Sequence, residues 1–235
     1  MIRMHWPAAR ALFAALALFA ASPAPAQEAP EQAALNAKLG AALVAIDTKK
    51  PEEATAILTP LLADYEKFYA TEKRRIYCGH GQQETLFYML EAAAARQDAV
   101  AIDPGWCTAL WARGFALIDL RQVDAAVPFL ERAVALSPSH PHYLSELGFA
   151  YQAQRKWQLS HDTFQRAVTG AGLEEGDRRK QSLRRAWFGM SYALIELGKL
   201  DEAEKLLSQC LELTPDDERV RNELKYVRDQ RAKKT

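Results

Sequence analysis

The residues of this sequence that could do chemistry are one cysteine and three histidines in two short stretches. Cys78 and His80 lie in "YCGHG", and His140 and His142 lie in "SHPH". One cysteine with one histidine is half a metal site, no CxxC or HExxH set accompanies them, and histidines in a turn are usually solvated. The sequence therefore predicts no catalytic residues, no metal and no cofactor. A metal-binding protein or an enzyme that uses His80, His140 or His142 is the less favoured alternative.

A basic run, "DRRKQSLRR", is a second candidate for chemistry. It carries four arginines and a lysine between Arg178 and Arg185. Such a run can contact an anionic lipid headgroup or a sulfated or phosphorylated glycan. It is more often the solvated face of an extended helix, and we favour that interpretation.

The first 26 residues have the layout of a secretory signal. A weakly basic start is followed by a short apolar run at residues 11–20 and by Ala24-Pro25-Ala26, which fits a small-residue cleavage site. The run is too short to span a bilayer, so a buried N-terminal helix is the alternative. We expect a bacterial protein that is exported to the periplasm or secreted, with no membrane span after cleavage.

The charge balance gives no electrostatic case for nucleic acid. Removal of Arg3 and Arg10 with the signal leaves 28 of the 30 basic residues against 30 acidic ones. A protein that binds nucleic acid through its phosphates needs a basic surface, and export makes such a partner less expected still.

Self-comparison shows a repeat of 34 residues. Gly114 recurs as Gly148, and Ala133 recurs as Ala167. A third copy follows after a longer interval of 43 residues, so the stretch near 175–183 is interpreted as an insertion. Within each copy the apolar residues have the i, i+3, i+4, i+7 spacing of a helix, and a short polar turn divides the copy in two. Each unit is therefore predicted to be a pair of antiparallel helices.

This helix–turn–helix unit resembles the tetratricopeptide repeat. The resemblance implies an all-α fold, a right-handed superhelix of antiparallel helix pairs with a C-terminal capping helix. The sequence departs from the pattern at Arg113, where an apolar residue is usual, and at Ser191, where glycine is usual. The residues that carry the resemblance are Leu144, Leu147, Gly148, Tyr151, Ser160, Phe164 and Ala167, and then Trp187, Leu194, Gly198, Ala203 and Pro215.

The predicted organisation has four parts. Residues 1–26 are the signal peptide, and residues 27–104 are an N-terminal helical region with a degenerate repeat. Three repeats occupy residues 105–215, at 107–140, 141–174 and 184–217. Residues 216–235 form the capping helix and a frayed tail.

The resemblance places the concave wall of the superhelix one residue beyond the core positions of each first helix. Many side chains at those positions are aromatic, and we call them the aromatic stripe. We interpret the stripe as a groove that binds a peptide or helix of a partner. The opposing interpretation is that it packs against a neighbouring repeat or the N-terminal helices. The stripe residues are Trp111, Phe115, Ile118, Phe149, Gln152, Phe188, Tyr192 and Ile195, and the predicted polar rim is Asp119, His142, Glu146, Arg185 and Glu196.

The function predicted from these features is a periplasmic protein–protein interaction module. It would act as a scaffold or adaptor in cell-envelope assembly or secretion, with no catalysis of its own. The alternative is a structural or oligomerising protein whose groove is filled by its own N-terminal helices or by a second copy.

The three cysteines are assigned from their positions in the repeat. Cys78 lies in a glycine-flanked loop and Cys107 opens the first clear repeat, so we expect a disulfide between them. Closing that loop would add about 3–4 kcal/mol to the free energy of unfolding. Cys210 takes the place of Ala133 and Ala167 in the other units and is predicted to be a small buried apolar residue.

Overall fold

The computed structural model describes residues 30–233. The predicted signal peptide and its cleavage site lie outside the described residues. No helix within the described range is both long enough and apolar enough to cross a membrane.

Helices dominate the described chain, and the prediction of an all-α repeat solenoid is confirmed. Successive helices pack as pairs, and each pair packs on the next, so the core runs through the array. The helices are α1 (Pro30–Asp47), α2 (Pro51–Phe68), α3 (Gln82–Ala94), α4 (Gly105–Asp119), α5 (Val123–Leu136), α6 (Pro141–Ala153), α7 (Trp157–Gly170), α8 (Gly176–Glu196), α9 (Leu200–Leu213) and α10 (Glu218–Ala232).

The pairs α4–α5, α6–α7 and α8–α9 correspond to the three predicted repeats, and small residues set their close approach. A Cβ on Gly114 would lie 2.6 Å from Cγ of Leu130, and one on Gly148 would lie 2.8 Å from the ring of Phe164. These separations are shorter than carbon contacts permit, so only glycine lets the helices of α4–α5 and of α6–α7 come this close.

The turn inside each helix pair uses the left-handed backbone conformation. Lys49, Arg121 and Arg155 have φ values of 58°, 63° and 57°, and Gly198 has φ 76° at the matching position of the third repeat. In each case the next backbone N–H reaches back to the last helical turn, as from Lys156 to the carbonyl of Tyr151 at 2.9 Å. This closing bond ends one helix and starts the next within a few residues.

The N-terminal region contains more than helices. Strands β1 (Arg75–Cys78) and β2 (Ala99–Ile102) pair in parallel on either side of α3, with Cys78 opposite Ile102. We call residues 75–102 the βαβ segment. Four-residue strands are too short to show alternation, and their pairing partners lie about a helix apart in the sequence, so a sequence pattern does not reveal them.

The pair α1–α2 packs against α4 in the manner of a preceding repeat. The unusual Arg113 of α4 serves this contact. Its guanidinium donates to the backbone carbonyl of Thr55 in α2 at 3.2 Å and lies 5.6 Å from the ring centroid of Phe129 in α5. The departure from the repeat pattern at Arg113 therefore joins the N-terminal pair to the array.

The capping helix α10 begins at a specific side-chain contact. The Asp217 carboxylate accepts from the backbone N–H of Val220 at 3.2 Å and pairs with Arg184 of α8. Burial opposes ionisation of Asp217, but the Val220 and Arg184 contacts outweigh it, so the pKa of Asp217 lies below its ordinary value. Asp217 thus contributes stability only where it is ionised.

We expect Asp217→Ala to lower the free energy of unfolding by about 1–2 kcal/mol at neutral pH, because a helix cap and a counter-ion are lost together. The depressed pKa means that this contribution is present above about pH 4 and is lost as the pH falls through the folded-state pKa. Urea unfolding at pH 7 and pH 3 measures both points. Asp216→Ala, at the fully exposed neighbouring position, is the control and should change little.

Candidate functional site

The aromatic stripe is half buried and half exposed. Trp111, Phe115 and Phe149 are partly buried and pack against the core, while Tyr192 is 41 % exposed. Ile118, Gln152 and Ile195 are also partly buried. The two interpretations of the stripe are therefore not exclusive, since most of its side chains pack against the core and are still partly exposed.

The Trp111 ring is held in place by neighbouring aromatic rings. Phe115 and His142 lie with their ring centroids 5.6 Å and 4.9 Å from it. Burial, together with the charge of Arg185, lowers the pKa of His142 to about 4, so His142 is neutral at physiological pH. Among residues 30–233, the indole Nε1 of Trp111 is buried and has no hydrogen-bond partner.

Glu146 and Arg185 were predicted at the rim, but the structure places them in the wall itself. Glu146 is 5 % exposed and forms an ion pair with Arg185, which makes its burial tolerable. The Arg185 guanidinium also lies 5.3 Å from the ring centroid of Phe149. Its Nε, like the hydroxyl of the buried Ser145, has no hydrogen-bond partner in the described chain. By contrast, Asp119 and Glu196 are exposed at the ends of α4 and α8.

Phe188 was predicted in the groove, but it belongs to the core. It is only 7 % exposed because two arginines cover its ring, with Arg184 at 5.1 Å and Arg219 of α10 at 4.8 Å from the centroid. The capping helix therefore hides an aromatic side chain that the repeat pattern alone leaves on the surface.

Two clefts open beside the stripe. The larger, of about 590 Å³, lies between α6 and the first half of α8, and His142, Ser145, Lys180 and Arg185 are among its lining residues. The smaller, of about 340 Å³, is lined by Phe149, Gln152, Ala153, Phe188, Gly189, Tyr192 and Arg219. The Gln152 amide donates to the carbonyl of Gly189 at 2.6 Å, so this side chain is fixed in the wall of the smaller cleft.

The predicted insertion near residues 175–183 is helical, in line with the favoured interpretation of the basic run as the face of an extended helix. Residues 176–183 form the first turns of α8, which extends this helix beyond the length of its counterparts. The basic run is thus on a helix, where Lys180 and Arg185 line the larger cleft and Arg179 is exposed. The cations are accompanied by acidic groups, as in the contact of Lys180 with Asp177 at 3.4 Å.

Comparison with family models decides the classification of the repeats. Models described as tetratricopeptide repeat match residues 108–140 and residues 184–227. In these two segments the chain carries tetratricopeptide repeats. The two matched ranges overlap the first and third predicted units and extend into α10. Comparison with curated protein sequences gave no match.

Several solved structures have a similar fold but share little sequence identity with this chain. Pseudomonas aeruginosa PilF has a TM-score of 0.60 at 11 % identity, covering 87 % of this chain and 72 % of PilF. MamA of Desulfovibrio magneticus RS-1 has a TM-score of 0.57 at 14 % identity, covering 88 % of each chain. The first tetratricopeptide-repeat domain of RPAP3, solved with the HSP90 peptide SRMEEVD, has a TM-score of 0.50 at 22 % identity, covering 56 % of this chain and 97 % of that one. At these identities the likeness shows the fold alone.

The cysteines lie at the junction of the βαβ segment and the first tetratricopeptide repeat. Cys78 of β1 and Cys107 of α4 are joined in a disulfide, with their Cα atoms 6.3 Å apart and both residues fully buried. The Ser137 hydroxyl donates to the carbonyl of Cys78 at 3.0 Å, which adds a contact to the end of α5. Cys210 is a free, buried thiol, and burial raises its pKa to about 12.

The structure brings two of the three candidate histidines together. His80 and His140 are stacked with ring centroids 3.9 Å apart, whereas His142 lies against Trp111. Glu84, which the sequence analysis missed, contacts both stacked rings. Glu84 follows His80 by four residues, but His80 precedes α3, so helical spacing alone does not bring the two side chains together.

Proposed function

We propose that the chain is an exported interaction module that binds a peptide segment of a partner protein on the concave face of its repeats. The observation that carries the proposal is that the stripe residues Phe149 and Tyr192 line the smaller cleft, while Trp111 packs against His142 of the larger one. Rigid aromatic side chains next to a cleft are typical of surfaces that anchor a partner's apolar side chains.

The polar groups in the wall favour an acidic peptide. The indole Nε1 of Trp111 and the Nε of Arg185 can only donate hydrogen bonds, and both lack a partner in the described chain. A buried donor without an acceptor costs about 1–3 kcal/mol. Arg185 lines the larger cleft, so a carboxylate bound there would meet its guanidinium, whereas Trp111 lines neither cleft. Lys180, well exposed at the larger cleft, adds a positive charge at its mouth. The expected ligand therefore carries an acidic residue close to a bulky apolar one.

The peptide seen in the RPAP3 domain is consistent with this chemistry. SRMEEVD contains three acidic residues and two apolar ones, and it is bound to a domain of the same repeat fold. The individual contacts of that complex are not assumed for this chain.

Occupation of the concave face by the protein's own N-terminal helices is not favoured. Helices α1 and α2 pack on α4 as a preceding unit, and the residues that line the two clefts all come from α6 onward. If a second copy of the chain occupied this face instead, the size of the protein in solution would show an oligomer.

Selection of peptides from a random display library tests the proposal. We expect binders enriched in acidic and bulky apolar residues, and Tyr192→Ala should weaken their binding by roughly tenfold or more, as loss of an aromatic anchor does. The matched control is Tyr226→Ala, because Tyr226 is 48 % exposed and lines neither cleft.

The two tyrosine variants should melt close to the wild type, since both side chains are largely exposed. Binding that is equally strong in both variants, or equally weakened in both, would contradict a site at the clefts. Selected sequences rich in lysine and arginine would contradict the proposed chemistry of the ligand.

A further inference from the structure

Two histidines and a glutamate from separate parts of the chain meet beside the turn between α5 and α6. His80 lies just after β1, Glu84 lies in the first turn of α3, and His140 immediately precedes α6. The Nδ1 of His80 is 3.4 Å from Glu84 Oε2, and the Nδ1 of His140 is 3.5 Å from Glu84 Oε1. One ligand atom from each of the three residues can be chosen so that all lie within 4.8 Å of one another.

These separations suit ligands around a shared cation better than direct hydrogen bonds. Charge-assisted hydrogen bonds between nitrogen and a carboxylate are about 2.7–2.9 Å long. Two ligands at about 2.0–2.1 Å from a tetrahedral ion are about 3.3–3.4 Å apart. The Nδ1 of His80 is buried and has no hydrogen-bond partner in the described chain. Each imidazole Nδ1 therefore lies at a distance from Glu84 that two ligands of one ion would have.

The surrounding hydrogen bonds aim the lone pair of His80 at the cluster. The Thr108 hydroxyl donates to the carbonyl of Pro104 at 2.9 Å, so it accepts from the Tyr143 hydroxyl 3.0 Å away. Tyr143 then accepts from Nε2–H of His80 at 2.8 Å. With its proton on Nε2, His80 presents an unprotonated Nδ1 toward Glu84, as second-shell partners of metal ligands do.

Glu84 is held in the same way from its other side. The Tyr88 hydroxyl donates to Oε1 at 2.5 Å, and the backbone N–H of His80 donates to Oε2 at 3.1 Å. Burial opposes ionisation of Glu84, but the contacts with His140, His80 and Tyr88 outweigh it, so its pKa lies well below its ordinary value. Burial lowers the pKa of His140. Glu84 is thus fixed in the cluster by a hydroxyl group and a backbone N–H.

A further carboxylate lines the same cleft as the cluster. This cleft, of about 310 Å³, is lined by His80, Glu84 and His140 together with Glu174, which lies between α7 and α8. The Oε2 of Glu174 is buried and has no hydrogen-bond partner among the described residues. The cleft leaves a fourth position for this carboxylate or for water.

We propose that His80, Glu84 and His140 form a binding site for a divalent transition-metal ion of the Zn²⁺ type. Two imidazoles and a carboxylate suit Zn²⁺, whereas Mg²⁺ and Ca²⁺ require sites built of oxygen. Because the imidazoles are stacked within 16° of parallel, one ring must tilt for both Nδ1 atoms to reach one ion. His80 is fixed by Tyr143, so His140 is the ring that moves. The ion fastens the βαβ segment to the turn between the first two repeats.

Titration of the full-length chain, stripped with a chelator and carrying no histidine tag, with ZnCl₂ in a calorimeter tests the site. We expect one Zn²⁺ per chain, a melting temperature that rises with Zn²⁺ but not with MgCl₂, and binding at least about a hundredfold weaker in His140→Gln. The control is His161→Gln, because His161 contacts Asp162 at a distant surface position on α7. That variant should bind Zn²⁺ as the wild type does.

Co²⁺ provides a readout that does not depend on a variant's folding. A tetrahedral nitrogen and oxygen site gives Co²⁺ visible absorption bands, which Zn²⁺ should displace in a one-to-one ratio. Glu84→Gln, which keeps the shape of the side chain, should abolish the bands. No Zn²⁺ binding by the stripped wild type, or unchanged binding in His140→Gln and Glu84→Gln, would overturn the proposal and leave the cluster as a packing contact.

Discussion

Phe164→Ala is expected to lower the free energy of unfolding by about 3–5 kcal/mol, the cost of removing a large aromatic side chain from a closed core. Phe164 is fully buried in α7 and meets Phe149 edge to face, with centroids 4.9 Å apart. Its ring occupies a slot between Gly148 of α6 and Gly189 of α8, neither of which has a side chain to fill the space. Urea unfolding measures the loss, and Leu159→Ala, at a 51 % exposed position of the same helix, is the control.

A second substitution, at Gly189, tests the packing of the Phe164 ring in this slot more sharply. A Cβ on Gly189 would lie 2.2 Å from the ring of Phe164, so Gly189→Ala should cost about 1–3 kcal/mol in the wild type. In the Phe164→Ala background the same change should be neutral or stabilising, because its methyl group then enters the cavity. Equal costs of Gly189→Ala in the two backgrounds would contradict this packing, since the coupling between neighbours would be absent.

Replacing Cys78 and Cys107 together with alanine is expected to lower the free energy of unfolding by about 3–4 kcal/mol. The disulfide closes a loop of 29 residues and is the covalent link between the βαβ segment and the repeats. Unfolding in denaturant measures the effect. The wild type with a reductant should behave as the double variant does, and Cys210→Ala, which leaves the disulfide intact, should respond to reductant as the wild type does.

Thiol titration checks the same bond and the proposed export together. Unfolded protein isolated after export should show one free thiol, that of Cys210, and the native protein should show almost none because that thiol is buried with a pKa of about 12. A chain made without residues 1–26 and kept in a reducing cytoplasm should show three. Three thiols in the exported protein would contradict the disulfide.

The repeat period made most of the helical array predictable. Gly114 and Gly148 recur at the spacing of the helix pairs because, in both units, the first helix packs closely against its partner helix at this position. The position of Cys210 in place of an alanine predicted its burial for the same reason. Such patterns are local to one unit and repeat along the chain, so a single sequence displays them several times.

The features that sequence reasoning missed depend on contacts between distant segments. Phe188 is at a groove position by its spacing, yet Arg219 covers it from a helix outside the three repeats. The sequence pattern predicts Glu146 as a polar rim residue. In the structure it is buried and forms an ion pair with Arg185, which comes from another repeat. Glu84 and His140 are far apart in sequence and meet only because the βαβ segment packs at the turn between units.

Photocrosslinking of a selected peptide to the protein tests the central claim, that the concave face is the binding surface. A photoreactive residue placed at position 192 should capture the peptide, and the same residue at position 86 should not, although Leu86 is 60 % exposed in an apolar pair with Leu90 on α3. The result expected is a crosslink at 192 that unlabelled peptide competes away. Capture at position 86 alone would place the partner on the βαβ segment and contradict binding at the repeats.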